Sequence, residues 1–320
     1  MGVDFLRWPL RLLVNTKGGV VYYTPLRYPG GKGQLTPFIK LLFQSNKLLD
    51  GHYVEPYAGG AGVALGLLFG EYASHVHIND LNKSVYAFWH SVIHETEALC
   101  ALIQRTEISM EAWREQKLIQ TQAVAPTLLE LGFSTFYLNR TNRSGILNAG
   151  VIGGKEQTGP WKIDARYNKE DLISRIKKIA QYRNRISIYN QDAADFIKKE
   201  LPNVPNRSLV YLDPPYYVKG QDLYQNYYRH EDHSDIAILV SDISQRWIVS
   251  YDQAPEIRTL YKNFRSLVYG YHYSAANRYE GSEVIFFSKD LVIPSVDNPS
   301  KITARELKES QSSLVQGSLD

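Results

Sequence analysis

An apolar run, Leu209–Leu212, ends in Asp213-Pro214-Pro215-Tyr216, the part of the chain whose residue types best suit chemistry. A carboxylate can accept a hydrogen bond from an exocyclic amino group. Proline has no backbone N–H, so the two prolines present only carbonyl oxygens, and the tyrosine ring offers a flat face for a heterocycle. Asp-Pro alone is typical of a plain turn. The whole tetrapeptide after a predicted buried strand favours a catalytic pocket that holds an amine.

A glycine-rich turn lies far upstream of this tetrapeptide. The predicted strand His52–Pro56 leads through the loop 57–62 into a predicted helix, 63–69. Glycine lets the backbone approach a ligand without a Cβ clash, and a new helix presents free N–H groups. The next predicted strand, His75–Asn79, delivers Asp80, whose carboxylate can accept both hydroxyls of a ribose. The loop alone also fits a dinucleotide-dependent oxidoreductase, or a tight turn with no ligand.

A third segment, Leu26–Lys32, contains a Pro-Gly-Gly turn and precedes a predicted helix, Leu35–Leu49. Such a turn can place the Lys32 ammonium near a carboxylate or near the charged tail of a ligand. By itself this is an ordinary turn. It supports a functional interpretation only because it precedes the other two segments.

Together the three segments resemble the amino-group DNA methyltransferases of the Dam type (the alpha group), which transfer a methyl group from S-adenosylmethionine to N6 of adenine. The resemblance covers roughly residues 24–289. It includes Phe136–Gly145, similar to the family's segment that leads from recognition helices into a DNA-contacting hairpin. It implies an α/β fold with a doubly wound, mostly parallel sheet of the S-adenosylmethionine-dependent methyltransferase type, and an inserted, mainly helical target-recognition domain.

The resemblance also implies residue roles. Asp80 would take the cofactor's ribose hydroxyls, and Asp192 would hydrogen-bond its adenine, while Tyr28 lies near the target-base pocket. The implied cofactor-binding residues are Tyr28, Lys32, Glu55, Gly60, Gly62, Asp80, Asp192 and Asp213. The implied catalytic residues, which would hold a flipped-out adenine for direct methyl transfer, are Asp213, Pro214, Pro215 and Tyr216. The implied DNA-binding residues are Asn139, Arg140, Asn142 and Arg143. Glycines stand at both 59 and 60, so the resemblance leaves open which of these two adjacent positions lies nearest the cofactor.

Composition sets broad limits. The 320 residues, 44% of them hydrophobic, suffice for one large α/β domain plus an insert, or for two domains. The net charge of +3 identifies no partner. Between residues 137 and 190, however, 11 Lys or Arg stand against 4 Asp or Glu. This stretch predicts a surface that faces phosphates, although a solvated helix over 170–185 explains part of it equally well.

The sequence gives little support for a metal site or for a membrane span. Cys100 is the only cysteine, so neither a disulfide nor a cysteine metal cluster can form within the chain. His90 and His94 lack the flanking glutamate of a metalloprotease motif, and 230–233 is interpreted as a polar loop. We therefore expect no metal. The segment 5–14 is too short and too charged for a signal or a membrane span. We expect a monomer in a bacterial or phage setting, cytoplasmic and associated with the nucleoid.

The predicted organisation is an N-terminal arm (1–23), a catalytic domain (24–84 and 169–293), a recognition insert (85–168) and a tail (294–320) that is polar and lacks packing. The expected partner is double-stranded DNA. RNA as substrate, an oxidoreductase and an idle DNA-binding module stay open as alternatives. The residues also leave open whether a restriction or defence-system partner is involved, and which DNA sequence is recognised.

Overall fold

A computed structural model of the protein describes residues 23–28, 30–121, 125–217, 228–273, 279–303 and 305–307, without side chains over 271–280. Within these ranges seven strands form one sheet. They are β1 (Gly51–Glu55), β2 (Ala73–Asn79), β3 (Ile186–Tyr189), β4 (Ser208–Leu212), β5 (Arg246–Asp252), β6 (Arg265–Tyr273) and β7 (Tyr279–Phe287).

The strand order is β3-β2-β1-β4-β5-β7-β6. Strands β1 to β5 pair in parallel, and β7 runs antiparallel to both of its neighbours. The order reverses between β1 and β4, which creates a switch point where a crevice opens at the carboxyl ends of the strands. The predicted doubly wound, mostly parallel α/β sheet is confirmed, and β6 and β7 add an antiparallel pair at one edge.

Helices surround the sheet and fill the segment between β2 and β3. They are α1 (Thr36–Ser45), α2 (Gly62–Phe69), α3 (Lys83–His94), α4 (Thr96–Arg105), α5 (Met110–Gln120), α6 (Leu128–Thr141), α7 (Lys169–Gln181), α8 (Ala193–Lys199), α9 (His230–Ser241) and α10 (Pro255–Leu260). Local signals fix several starts. For example, Thr127 and Glu130 form a capping box at the start of α6, in which each side chain accepts from the other's backbone N–H.

The helices α3 to α6 share one hydrophobic core with the sheet. Phe88 of α3 and Phe136 of α6 stack with ring centroids 6.0 Å apart, and both belong to the same buried cluster as Tyr53 of β1 and Val76 of β2. The opposite face of the sheet packs in a second cluster that includes Trp247. Between β2 and β3 the helical layer therefore covers apolar sheet surface as well as presenting its own outer face.

The expectation of an unpacked tail from residue 294 is corrected for residues 294–303. The Asn298 amide and the Ser300 hydroxyl both donate to the carbonyl of Gly270, at 3.2 and 3.1 Å, and Val296 and Ile302 pack against the core. The physical reason is that β6 ends the sheet, and the bonds to Gly270 cover part of that open edge. Residues 1–22 of the predicted arm (1–23) and residues 308–320 lie outside the described residues. No helix that the structure describes is long and apolar enough to cross a bilayer.

Candidate active site

The glycine loop after β1 is shaped by one left-handed glycine and one ring. Gly59 has φ +47°, and a Cβ there would lie 2.7 Å from the Tyr28 ring, so only glycine fits. A Cβ on Gly60 would lie 3.2 Å from the Tyr28 Cβ, whereas one on Gly62 would meet ordinary contacts only. Ala61 is also left-handed, with φ +47°. The steric need for glycine thus lies at Gly59, one position before the predicted Gly60.

Asp80 follows β2 and fastens this loop. Its Oδ2 accepts from the Gly59 N–H at 2.9 Å and its Oδ1 from the Asn82 N–H at 2.9 Å. Burial raises the pKa of Asp80 to about 6, against the lowering effect of these two N–H groups. A carboxylate held by backbone donors at the end of β2 keeps lone pairs for two further hydroxyl donors. The position therefore suits the predicted ribose contact.

Glu55, at the end of β1, reaches the start of α2. Its Oε1 accepts from the Tyr53 hydroxyl at 3.0 Å and from the Ala64 N–H at 3.2 Å. Burial raises the pKa of Glu55 to about 8. Among the described residues no donor contacts Oε2, so this oxygen can serve a cationic or N–H-bearing ligand. Asp192 caps α8 by accepting from the Ala194 N–H at 2.9 Å, beyond the end of β3. Glu55, Asp80 and Asp192 thus follow neighbouring parallel strands.

The other half of the crevice contains Asp213, directly after β4. Its carboxylate is bound to the Lys32 ammonium, with Nζ 2.9 Å from Oδ1 and 3.1 Å from Oδ2. The Ser250 hydroxyl of β5 donates to Oδ1 at 2.7 Å. The predicted approach of Lys32 to a carboxylate is therefore what the structure shows, and the carboxylate is that of the Asp-Pro-Pro-Tyr segment.

A second carboxylate, Glu283 of β7, completes the cluster. It lies 3.5 Å from Lys32 Nζ and is fully buried. Its Oε1 accepts from the Tyr216 hydroxyl and its Oε2 from the Tyr269 hydroxyl, each at 2.7 Å. The Tyr216 hydroxyl also accepts from Lys32 Nζ at 3.1 Å. Lys32, Asp213, Glu283 and Tyr216 thus form one hydrogen-bonded unit at the switch point.

The charges of this unit are strongly coupled. Burial opposes the charged form of Lys32, but the Asp213 and Glu283 carboxylates outweigh it and raise the pKa of Lys32 well above its usual value. Burial raises the pKa of Asp213; the Lys32 ammonium opposes this shift, and the Glu283 charge adds to it. Lys32 therefore favours the ionised form of Asp213, because losing the ammonium would leave two nearby carboxyl groups to repel each other.

The tetrapeptide is only partly open in this arrangement. The Tyr216 side chain is buried, and Lys32 Nζ lies 5.0 Å from its ring centroid. Lys32 therefore occupies space beside the ring that was predicted to stack on a base. The Pro214 carbonyl has no hydrogen-bond donor among the described residues, which agrees with its predicted use as an acceptor for a ligand.

Two of the predicted DNA-binding residues hold the fold together instead. The Asn139 amide donates to the carbonyls of Arg27 and Gly145 at 2.7 and 2.9 Å, and accepts from the Arg27 N–H at 2.7 Å. Asn142 is completely buried, donates to the Ile146 and Leu147 carbonyls, and accepts from Trp113. As folded, the hydrogen-bonding groups of both amides are used within the protein, and the DNA contact implied for them stays a prediction.

The two arginines of this segment differ in exposure. Arg140 is buried and donates through Nε and Nη2 to the Pro25 carbonyl, and burial lowers its pKa to about 9. It therefore also serves the fold, although it lines a cavity of about 410 Å³ beside the start of α7. Arg143 is exposed. Of the four predicted residues, Arg143 is the one placed to meet a partner.

Three members of the site escaped sequence reasoning. Glu283 lies in β7 directly before the apolar run 284–287, and a lone acidic residue at that place was the available signal. Ser250 lies within β5, and the left-handed conformation that selects Gly59 over Gly60 cannot be read from two adjacent glycines. In addition, residues 230–233, interpreted as a polar loop, begin α9. His233 is buried there with Nδ1 3.0 Å from the Tyr251 hydroxyl. In the described residues no group of His, Cys, Asp and Glu is arranged to hold a metal ion.

A sequence profile of D12 class N6 adenine-specific DNA methyltransferases matches residues 28–275, and the chain belongs to this family. The match spans the Lys32 turn, the glycine loop and the Asp213 segment together. It identifies the protein as a methyltransferase, without resolving the Dam-type subgroup.

Comparison with solved structures gives distant similarities. PH1948 from Pyrococcus horikoshii, a proposed RNA methyltransferase, is 11% identical with a TM-score of 0.41, over 82% of this chain and 86% of that one. LPL1258 from Legionella pneumophila, of the family DUF519, is 14% identical with a TM-score of 0.32, over 91% and 92%. No curated protein matches the sequence.

Proposed function

We propose that the protein transfers a methyl group from S-adenosylmethionine to N6 of an adenine flipped out of double-stranded DNA. The observation that carries the proposal is the position of Asp213: its carboxylate is held by Ser250 and Lys32 at the strand-order switch point, beside the Pro214 carbonyl. Two acceptors, a carboxylate and a carbonyl, match the two N–H bonds of an exocyclic amine. Membership of the D12 class supports N6 of adenine as the acceptor.

The neighbouring strand ends fit S-adenosylmethionine. Asp80 can accept the ribose hydroxyls, Glu55 Oε2 faces no protein donor, and Asp192 keeps a carboxylate oxygen for an adenine amine. The loop at Gly59 closes against Tyr28 where no side chain could be added. When bound there, the cofactor supplies an electrophilic methyl group on its sulfonium.

The residues of this chain would act on the acceptor amine. The lone pair of the adenine amine is delocalised into its ring, so the nitrogen is a weak nucleophile. Hydrogen bonds from the amine to Asp213 and Pro214 favour a tetrahedral nitrogen whose lone pair points at the methyl group. The amine nitrogen would take up the methyl group as the methyl–sulfur bond breaks, and one amine proton would then pass to water. Positioning of this kind supplies up to about 7–11 kcal/mol in favourable cases.

The duplex must open for this to happen. An adenine N6 is out of reach inside stacked DNA, and flipping it out costs on the order of a few kcal/mol. The basic segment between residues 137 and 190, with Arg143 exposed, supplies positive charge for the phosphates of such a complex.

The test is mass spectrometry of nucleosides after unmethylated duplex DNA is incubated with the protein and S-adenosylmethionine. Asp213→Ala is measured in parallel, and Asp195→Ala, an exposed aspartate of α8, is the matched control. N6-methyladenine from the wild type and the control, with none from Asp213→Ala, is the expected result. A cofactor-induced rise in melting temperature should persist in Asp213→Ala.

Other outcomes would contradict the proposal. Near-normal turnover by Asp213→Ala would refute the role of the carboxylate. Stabilisation by NAD but not by S-adenosylmethionine would favour an oxidoreductase. Methylation of RNA but not of duplex DNA in the same assay would reassign the substrate.

A further inference from the structure

The Lys32 ammonium is the one cation in contact with two carboxylates in the described part of the site. Nζ lies 2.9 Å from Asp213 and 3.5 Å from Glu283, and the side chains of Lys32 and Glu283 are 3% and 0% exposed. The ammonium and the Glu283 carboxyl group are thus enclosed, whereas the Asp213 side chain is 23% exposed. The shorter of these two distances is to Asp213, whose carboxylate accepts the target amine in the proposed reaction.

This arrangement weakens the proposed acceptor role as long as Lys32 stays on Asp213. Lys32 contacts both oxygens of Asp213, and Ser250 occupies Oδ1 as well. A carboxylate accepts about four hydrogen bonds, so one acceptor position on Oδ2 stays open, and an incoming amine would share that oxygen with the ammonium. A buried ammonium without a counter-ion costs several kcal/mol by order of magnitude, so Lys32 cannot simply be released into an apolar pocket. It needs a second partner within reach.

We infer that Glu283 is this second partner: it holds the Lys32 ammonium when the target amine takes its place on Asp213. Glu283 is in this sense a positioning residue, because it acts on the acceptor through Lys32 and does not touch the substrate. The inference rests on the proposed function. It requires only a small shift of the ammonium, since Nζ already lies between the two carboxylates.

The surroundings of Glu283 fit this role. Its two oxygens are fixed by the hydroxyls of Tyr216 and Tyr269, each at 2.7 Å, so the carboxylate is held in place before Lys32 arrives. The Tyr216 hydroxyl would take part in the shift of Lys32 toward Glu283, because it accepts from Lys32 and donates to Glu283. The same shift would move Nζ relative to the Tyr216 ring, whose centroid it approaches to 5.0 Å. One movement would thus alter both the amine acceptor and the ring beside it.

The test compares single-turnover methylation by Glu283→Gln, Lys32→Met and the double variant, each over a range of pH. Cofactor affinity and thermal unfolding are measured in parallel. The matched control is Glu111→Gln, which removes the same charge from the exposed side of α5. The wild type is assayed first on duplex DNA. If it forms no N6-methyladenine, the proposed function fails; if it does, the variants address Glu283 alone.

We expect Glu283→Gln to lower the methylation rate about tenfold or more, since Lys32 then stays on Asp213; one pKa unit of differential stabilisation corresponds to a tenfold effect. Cofactor affinity should not change. Lys32→Met leaves Asp213 beside Glu283, so one of them takes a proton and the activity profile moves to higher pH. In the double variant Asp213 stands alone, and both the profile and the rate should return toward the wild type.

Two results would overturn the inference: a wild-type rate in Glu283→Gln, or a double variant whose losses merely add, as for a structural role. Should Glu283→Gln fail to fold, Glu283→Asp keeps the charge but shortens its reach. It is expected to slow methylation at unchanged cofactor affinity, and a wild-type rate in that variant would equally refute the inference.

Discussion

The backbone N–H of Gly59 donates to the Asp80 carboxylate at 2.9 Å, so the glycine loop after β1 and the acidic residue after β2 form a single unit. The loop owes its conformation to this bond and to the Tyr28 ring that lies against Gly59. A change in either residue should therefore affect cofactor binding through the same structure.

Gly59→Ala should destabilise the loop. The new Cβ would lie 2.7 Å from the Tyr28 ring at a left-handed φ, and left-handed backbone costs a non-glycine residue about 1–2 kcal/mol even without a clash. We expect a loss of at least about 1 kcal/mol in the free energy of unfolding, together with weaker binding of S-adenosylmethionine. Chemical denaturation and calorimetry measure the two effects. Gly33→Ala is the control, because a Cβ there meets nothing within 4 Å; equal behaviour of the two variants would contradict the prediction.

Cofactor affinity should rise with pH through the range set by Asp80. Burial raises the pKa of Asp80 to about 6, and the charged form is the better acceptor for ribose hydroxyls. Below that pH, affinity should fall by up to about tenfold per unit. Asp80→Asn should bind more weakly and flatten this dependence, whereas the exposed Asp195→Asn should keep it. Titration calorimetry at a series of pH values tests this. An unchanged slope in Asp80→Asn would show that another group is responsible.

Acid should destabilise the fold through a row of histidines on β1 and β2. His77 Nε2 lies 3.0 Å from His52 Nδ1, and His77 Nδ1 lies 3.1 Å from the Tyr189 hydroxyl. Burial, with the His75 and His52 charges, lowers the pKa of His77 to about 3. The unfolded chain takes up a proton near pH 6.5 and the folded one does not, so stability is lost as pH falls below 6.5. Between pH 6.5 and 5 the loss should be about 1–2 kcal/mol.

Denaturant unfolding at several pH values measures this loss. His77→Gln should reduce the slope, and His94→Gln, at an exposed position, should not. A slope that survives in His77→Gln would assign the acid sensitivity to other groups.

Substitution of Arg143 should weaken DNA binding without affecting stability, and substitution of Asn139 should lower stability. Arg143→Ala removes an exposed charge, so DNA affinity should fall and the salt dependence of binding should decrease by about one counterion, with unfolding unchanged. Asn139→Ala removes bonds to Arg27 and Gly145 and should cost about 1–3 kcal/mol of stability. Fluorescence anisotropy over a salt series and thermal melts measure the two. If Asn139→Ala melts like the wild type but loses DNA affinity, the structural assignment is wrong.

Sequence patterns predicted the sheet well, because strand and helix periodicity are local properties. The apolar run before Asp213 and the residues before Asp80 both form strands that end where the chemistry begins. Parallel strands bring their carboxyl ends to one edge, so the convergence of Glu55, Asp80 and Asp213 could also be anticipated.

Contacts between residues that are far apart in the sequence could not be predicted from these local patterns. Glu283 joins Lys32 only because β7 inserts beside β5 in the reverse direction, and no local pattern encodes that pairing. Likewise, Asn139 and Asn142 have the residue types of base readers. Only burial shows that their amides are already used by the loop backbone.

The shared core of α3 to α6 limits how the helical segment between β2 and β3 could be exchanged for that of a relative. Phe88 and Phe136 pack with sheet residues, and the indole of Trp89 donates to the Gly59 carbonyl at 2.9 Å. Transplanting the whole segment from a relative would replace part of the sheet's own packing and a support of the glycine loop. Recombination between relatives should therefore succeed at the surface around Arg143 and Trp161, which is 62% exposed, and fail at the boundaries of the helical layer.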